Sequence, residues 1–243
     1  MTSINIGPGY GYEATLLDPD NPVFPALQKN GAYFNGRMFL ESYGDSPTTI
    51  DSYTHTISFW YKIGVGATQA PDIEYPILTN EDGICYKTTL EVYMSYNPIF
   101  AASYLNVVAT GANIANQANF TVEVPTHDDT WHHILIYQKS WDGGLSLYTL
   151  YLDGTKITSG FTNESFFVSD LPFVHYDYWA VGAGQKSDTQ RFEGCLDELY
   201  ITFEDLDPDI NNNIDKFINP STGEPVPLGP NGNLPTGSAA YIY

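Results

Sequence analysis

The sequence predicts an all-β protein: an antiparallel two-sheet sandwich with one short C-terminal helix and extended arms at both ends. Three observations predict it. Residues 131–203 hold four strand-length stretches, WHHILIYQKS, LYTLYLDGTKI, YWAVGAG and FEGCLDELYITF, each rich in β-branched and aromatic residues and closed by turn formers. Aromatic residues make up 15% of the chain, with 19 Tyr and 13 Phe, which suits pleated, half-buried surfaces. The 21 Gly and 16 Pro supply turns between many short strands. At 243 residues and 42% hydrophobic content the chain is long for a sandwich, yet fits one such domain with a sizeable core.

In chain order, residues 1–29 read as an extended N-terminal arm, with Gly7-Pro8-Gly9 and prolines 19, 22 and 25 and no sustained period. The domain spans residues 30–218. Its clearest early strand runs through Thr54, Thr56 and Ser58 alternating with His55, Ile57, Phe59 and Tyr61, the period of two of a half-buried strand. Strands are predicted near 75–80, 83–96, 99–109 and 118–125, bounded by Asn-Pro, Thr-Gly and Pro. Leu145 to Leu152, Asp153-Gly154 and Thr155 to Thr158 form a two-residue hairpin, because Asp-Gly accepts the positive φ angles of a type I′ turn. Residues 159–176 read as a long loop, followed by strands at 178–184 and 195–203. Ile57, Phe59, Leu135, Leu199 and Ile201 are expected inside. Asp207 as N-cap, Pro208 at the first helical position and an apolar stripe of Ile210, Ile214, Phe217 and Ile218 predict the helix, which Asn219-Pro220 stops. Residues 219–243 form a Pro/Gly-rich C-terminal arm.

The order and spacing of these pieces resemble the laminin-G-like, concanavalin-A-like jelly roll. The resemblance rests on Phe34-Asn35-Gly36 in the opening strand, Thr56-Ile57-Ser58-Phe59-Trp60, the Trp131-His132-His133 strand, the Asp153-Gly154 hairpin and Phe192-Glu193-Gly194 followed by Leu196-Asp197-Glu198-Leu199. Residues 217–229 and 231–237 further resemble the tail found at the ends of laminin-G-like proteins of tailed phages. This implies a binding rather than a catalytic fold, of the kind found in tailed-phage virion proteins.

Nine basic residues face 29 acidic ones, a formal charge of −20. Such a surface repels phosphate backbones and anionic bilayers, so neither nucleic acid nor membrane is an expected partner. The N-terminal stretch lacks the basic and apolar regions of a signal peptide, and no apolar run is long enough to span a bilayer. No cofactor is expected. The carboxylate-rich surface is compatible with Ca²⁺, although no pair of ligands stands out. Cys85 and Cys195 are even in number, which permits a disulfide. The competing reading makes Cys195 a small buried hydrophobe of its strand.

Retaining glycosidases need two carboxyls about 5 Å apart. Glu193, Asp197 and Glu198 come nearest, but Gly194 intervenes and no second acid completes the motif, so no enzyme activity is expected. His132 and His133 are strand neighbours that face opposite sides and cannot converge on a metal. Asp205, Asp207 and Asp209 in the acidic run 204–209 read as a solvated face and helix cap. The candidate contacts for a ligand or partner are the aromatic-acidic groups at loops: Trp141, Tyr176, Asp177 and Tyr178, which could stack on sugars or anchor a protein. Phe24 and Leu27 in the first arm, and Val226, Leu228 and Tyr241 in the second, are candidate docking anchors.

The expected function is a non-enzymatic structural protein of a tailed-phage virion, on head or tail. It would be made in the host cytoplasm and displayed as a homo-oligomer on the particle, touching capsid or tail subunits and cell-surface glycan. A stand-alone carbohydrate- or receptor-binding module is the alternative, with a glycan-active hydrolase behind it.

Overall fold

The structure is a computed structural model. It describes residues 32–35, 40–42, 49–63, 74–82, 87–97, 99, 101–110, 117–126, 128–140, 146–165, 173–176, 178–183, 192–229, 232–238 and 240. The strands are β1 (Ala32–Asn35), β2 (Leu40–Ser42), β3 (Thr49–Ser52), β4 (Thr54–Lys62), β5 (Glu74–Asp82), β6 (Lys87–Asn97), β7 (Ala102–Thr110), β8 (Gln117–Val124), β9 (His132–Ser140), β10 (Ser146–Leu152), β11 (Thr155–Lys156), β12 (Phe161–Ser165), β13 (Phe173–Tyr176), β14 (Tyr178–Val181) and β15 (Glu193–Thr202).

They form a six-stranded sheet in the order β1-β15-β4-β9-β10-β11 and a seven-stranded sheet in the order β12-β8-β7-β6-β5-β14-β2. Every pairing is antiparallel. The result is a jelly-roll sandwich, as the sequence predicts. The main core lies between the sheets: Ile57, Phe59 and Tyr61 of β4 and Ile134 and Ile136 of β9 meet Val92, Met94, Leu105 and Val107 of the facing sheet. A separate ribbon of β13 and β3 lies against β5, β6 and β7.

Two local features have sequence causes. Asp153 at φ 49° and Gly154 at φ 74° build the expected hairpin turn between β10 and β11. Gly194 sits so close to β4 that a Cβ there would meet the Lys62 carbonyl oxygen at 2.7 Å and the Phe192 ring at 2.9 Å, which explains the glycine two residues after Phe192.

Several expectations need correction. The predicted loop 159–176 contains β12, which pairs with β8, and β13, which pairs with β3. The predicted C-terminal helix is absent. Only a single 3₁₀ turn, Asn213–Lys216, is present. Asn211 and Asn212 both sit at φ 54°, a left-handed conformation that Asn tolerates and an α-helix cannot contain. Asp207 accepts the Asp209 N–H at 3.0 Å, an Asx turn rather than a helix cap. Ile210, expected on the docking stripe, is 53% exposed, while Phe217 and Ile218 are buried.

Two expected core residues lie elsewhere. A bulge between Asp197 and Tyr200, with Glu198 at φ 50°, adds one residue to β15. The extra residue lets both Leu196 and Ile201 face the main core despite their odd separation. It leaves Leu199 half-buried beside that core. Leu135 is fully buried, but on the opposite face of its sheet, in a second cluster with Tyr137, Tyr151, Tyr200, Leu206, Phe217 and Leu228.

Candidate functional site

The two sheets have outer faces of opposite character. That of the six-stranded sheet is covered by the protein's own C-terminal segment. Phe217 packs edge-on against Tyr200, ring centroids 5.2 Å apart. Ile218 bridges Pro225, and the Val226 N–H donates to the Phe217 carbonyl at 3.1 Å. The acidic run clasps this segment to the sheet. Asp205 accepts the Tyr137 hydroxyl and Lys139 Nζ, both at 2.5 Å, and Asp209 accepts the Tyr151 hydroxyl at 2.9 Å and pairs with Lys156. Burial, then the bond to Asp209 and its charge, pushes the Tyr151 phenol up to about 12. The acidic run therefore works as a set of clasps rather than as a solvated face.

Leu228, expected as a docking anchor, is instead buried at 2% exposure against its own sheet. Val226 is half-buried. Phe24, Leu27, Tyr241 and Trp141 lie outside the described residues, as do Asp177 and Cys85. Cys195 is buried with a free thiol, whose pKa burial raises to about 11. Tyr176 ends β13, opposite Thr49, and Tyr178 opens β14, opposite Glu81. The sequence-predicted loop site thus falls where the ribbon joins the end of β5.

The histidines face opposite sides, as their adjacency requires. His133 is fully buried, stacks near Trp60 with centroids 5.0 Å apart, and has Nε2 2.8 Å from Ser58 Oγ. Burial, only partly opposed by Asp153, lowers its pKa to about 3, so it stays neutral. The Ser58–His133 spacing is that of a nucleophile and its base. Yet Nδ1 has no hydrogen-bond partner to orient the ring and both side chains are sealed from solvent, so the pair is built for packing. His132 is gripped from both sides, Nδ1 by Asp153 at 2.8 Å and Nε2 by Asp128 at 2.9 Å. These carboxylates lie on opposite ring edges. No group of three His, Cys, Asp or Glu converges as a metal site among the described residues. Asp197 accepts the Glu198 N–H at 2.9 Å within the bulge.

The outer face of the seven-stranded sheet is polar and aromatic. Leu90, Val92 and Met94 point into the core, so Glu91, Tyr93 and Ser95 point out. The same alternation turns out Tyr104, Asn106 and Val108 of β7 and Asn119, Thr121 and Glu123 of β8. Register sets Tyr93, Asn106 and Thr121 in one row, and Ser95, Tyr104 and Glu123 in the next. Adjacent strands are about 4.8 Å apart, so the patch from β5 to β8 is roughly 14 Å wide.

Asn106 organises the centre of this patch. Its Nδ2 donates to Ser95 Oγ at 2.9 Å and to the Tyr104 carbonyl at 3.3 Å, while its Oδ1 accepts the Thr121 hydroxyl at 2.8 Å. The Tyr93 hydroxyl is bonded to Glu74. Burial, then the charges of Glu74 and Glu91 and that bond, pushes the phenol up to about 12. Two half-buried tyrosines thus flank a preorganised amide, with carboxylates at either side. Sequence reasoning missed this constellation because its members come from four strands. The signal available was the alternation in LEVYMSYN and SYLNVV, which turns Glu91, Tyr93, Ser95, Tyr104 and Asn106 to one face.

A laminin-G-type family model, described as the concanavalin A-like lectin/glucanases superfamily, matches residues 41–209. The chain belongs to this superfamily. Curated protein sequences give no match. Among solved structures, the superfamily member described here is similar to the CBM40 module of the Ruminococcus gnavus IT-sialidase, bound to α2,3-sialyllactose. Identity is 14%, coverage is 76% of this chain and 96% of that one, and the TM-score is 0.48. It is also similar to the enzymatically active domain of bacteriophage CBA120 tailspike protein 2, at 12% identity, 71% and 25% coverage and TM-score 0.45. The endo-β-1,4-glucuronan lyase of Trichoderma reesei is 16% identical over 72% of this chain and 86% of its own, at TM-score 0.40. These likenesses concern the path of the chain, not the residues of a site.

Proposed function

We propose that this superfamily member is a non-enzymatic, lectin-like display module of a tailed-phage particle, and that the outer face of its seven-stranded sheet binds cell-surface glycan. The observation that carries the reading is the asymmetry of the two faces. One outer face is occupied by the protein's own C-terminal segment. The other presents Tyr93 and Tyr104 half-buried around a hydrogen-bonded Asn106. Tyrosines held by their surroundings lose little side-chain entropy when a sugar ring stacks on them, and a rigid polar network does not need to reorganise. The particle assignment is supported by the resemblance of residues 217–237 to the tails of phage laminin-G-like proteins. The expected absence of turnover follows from the missing pair of cooperating acids in the sequence, and from the position of Asp197 on the sheet opposite the polar face.

The test is a glycan array followed by calorimetry. The full chain is expected to retain a defined set of glycans, and Tyr93→Ala with Tyr104→Ala is expected to reduce retention at least tenfold with an unchanged circular dichroism spectrum. Unaltered retention in the double variant would move the site off this face. Mass spectrometry of purified virions of a phage carrying the gene tests the particle assignment, since absence of the protein from them would refute it.

A further inference from the structure

The bridge from Ser95 through Asn106 to Thr121 has a fixed polarity, and that polarity matches one chemical group on a sugar. The inference rests on the glycan-binding reading above. Asn106 is buried at 7% exposure, beneath the half-buried Ser95 and Thr121. Its Nδ2 lies 3.3 Å from the Tyr104 carbonyl, which can only accept, and this fixes which end of the amide is nitrogen. The same nitrogen donates to Ser95 Oγ at 2.9 Å. Ser95 therefore accepts with a lone pair, and its own proton points away from the bridge. At the other end Oδ1 can only accept, so Thr121 spends its proton there at 2.8 Å and keeps its lone pairs. Neither hydroxyl has another hydrogen-bond partner among the described residues.

The bridge thus offers a ligand a donor at Ser95 and an acceptor at Thr121, each one hydrogen bond beyond an end of the Asn106 amide. A sugar hydroxyl gains nothing from this asymmetry, because it rotates and can donate or accept at either end. A protonated amine only donates and leaves Ser95 unanswered. A secondary amide fits both ends. Its carbonyl only accepts, its N–H only donates, and the two are held as far apart as in Asn106 itself. Laid head to tail over Asn106, an acetamido group directs its carbonyl to Ser95 Oγ and its N–H to Thr121 Oγ1, and the two amide dipoles run antiparallel. Tyr93 pairs with Asn106 and Tyr104 with Ser95 in the strand register, so both rings lie beside the group.

We infer that this face reads an N-acetylated amino sugar, with Ser95 and Thr121 touching its acetamido group and Asn106 acting as the positioning residue that sets their polarity. The probes are β-1,4-linked oligomers of N-acetylglucosamine, glucosamine and glucose, which differ only at carbon 2, presented to the full chain at high salt to screen the attraction of the acidic surface for free amines. The acetylated oligomer is expected to be retained at least tenfold more tightly than the other two. In Asn106→Asp the introduced carboxylate only accepts, so it draws the Ser95 proton inward and the preference disappears at neutral pH. Protonation gives that carboxyl one donor and one acceptor again, so the preference is expected to return as pH falls to about 4. Glu74, Glu91 and Glu123 border the patch, and the wild type at each pH is therefore the reference. A merely structural Asn106 would show no such recovery, and a preference unchanged at neutral pH would remove its positioning role. Should that variant fail to fold, Ser95→Ala decides, and is expected to level the three oligomers. Retention of the glucose or glucosamine oligomer as tightly as the acetylated one, abolished by Tyr93→Ala with Tyr104→Ala, would overturn the acetamido reading and leave the glycan site standing. Retention of no sugar, or retention indifferent to the tyrosines, would remove the site itself and the inference with it.

Discussion

The two outer faces start from the same device, a strand with alternating side chains, and end differently. On the six-stranded sheet the outward positions include Leu135, Tyr137, Tyr151 and Tyr200, too apolar to leave in water, and residues 204–228 return to cover them. On the seven-stranded sheet they are Tyr93, held by Glu74, and Ser95, Asn106 and Thr121, which bond one another; Tyr93, Ser95 and Thr121 stay half-buried. The comparison teaches that β-propensity alone does not separate a second core from a recognition surface. Tyrosine serves both, and its neighbours decide which. Beside Leu and Phe the ring is packed away. Beside Asn and Glu, as at Tyr93 and Tyr104, the side chain stays half-buried.

The comparison breaks most visibly at Phe217. Phe217→Ala removes the ring on Tyr200 and is expected to cost about 3–5 kcal/mol, read from urea unfolding. Hydrogen exchange would rise first over residues 204–228. A cost near zero would mean that the C-terminal segment is not part of the cooperative unit and that the six-stranded face is available after all.

The end of the six-stranded sheet sharpens it through pH. Burial opposes protonation of His132, but its bonds to Asp153 and Asp128 outweigh this and raise its pKa above the ordinary 6.5. Burial likewise works against ionised Asp128, yet its bonds from His132 and the Thr130 N–H hold its pKa below 3.8. A raised histidine contributes stability that is complete below its unfolded pKa and fades as pH rises through the folded one. A lowered carboxylate contributes stability present above its unfolded pKa and lost as pH falls through the folded one. Denaturation midpoints are therefore expected to fall as pH rises from the ordinary 6.5 through the raised folded pKa in the wild type, and to be flatter in His132→Gln. An identical slope in the variant would show that the two Asp contacts do not hold the charged ring.

The smallest effect belongs to the clasp at Lys156. With both partners 40% exposed, Lys156→Met is expected to cost no more than about 1 kcal/mol, and less in high salt. A larger, salt-insensitive loss would mean that charge rather than the apolar contact of Phe217 and Leu228 fastens the segment.

The legible part was local. The period of two in β4, the Asp153-Gly154 turn and the order of β5 to β8 follow from nearest neighbours in the chain, although β6 and β7 begin at Lys87 and Ala102, later than the predicted 83 and 99. So does the opposition of His132 and His133. The helix over 207–218 was misread because a stripe of Ile210, Ile214, Phe217 and Ile218 satisfies helical spacing, whereas Asn211 and Asn212 each turn left-handed. The loop at 159–176 was misread because β12 and β13 are strands by virtue of partners at β8 and β3, not by their own composition. The candidate site was legible only as alternation within single strands, since Tyr93, Asn106 and Thr121 become neighbours through register across three strands.

By itself, then, the sequence determined that this chain is a β-sandwich of its superfamily, where most strands lie and which residues alternate. Alternation has two faces and cannot say which one is covered. That was decided by tertiary structure. Chain from beyond β15 returns over Leu135 and Tyr200, and a single extra residue in the Asp197–Tyr200 bulge sets which side of β15 meets each layer. Coverage of this kind depends on contacts between residues some 80 positions apart, such as Leu135 and Phe217, and no local pattern encodes them.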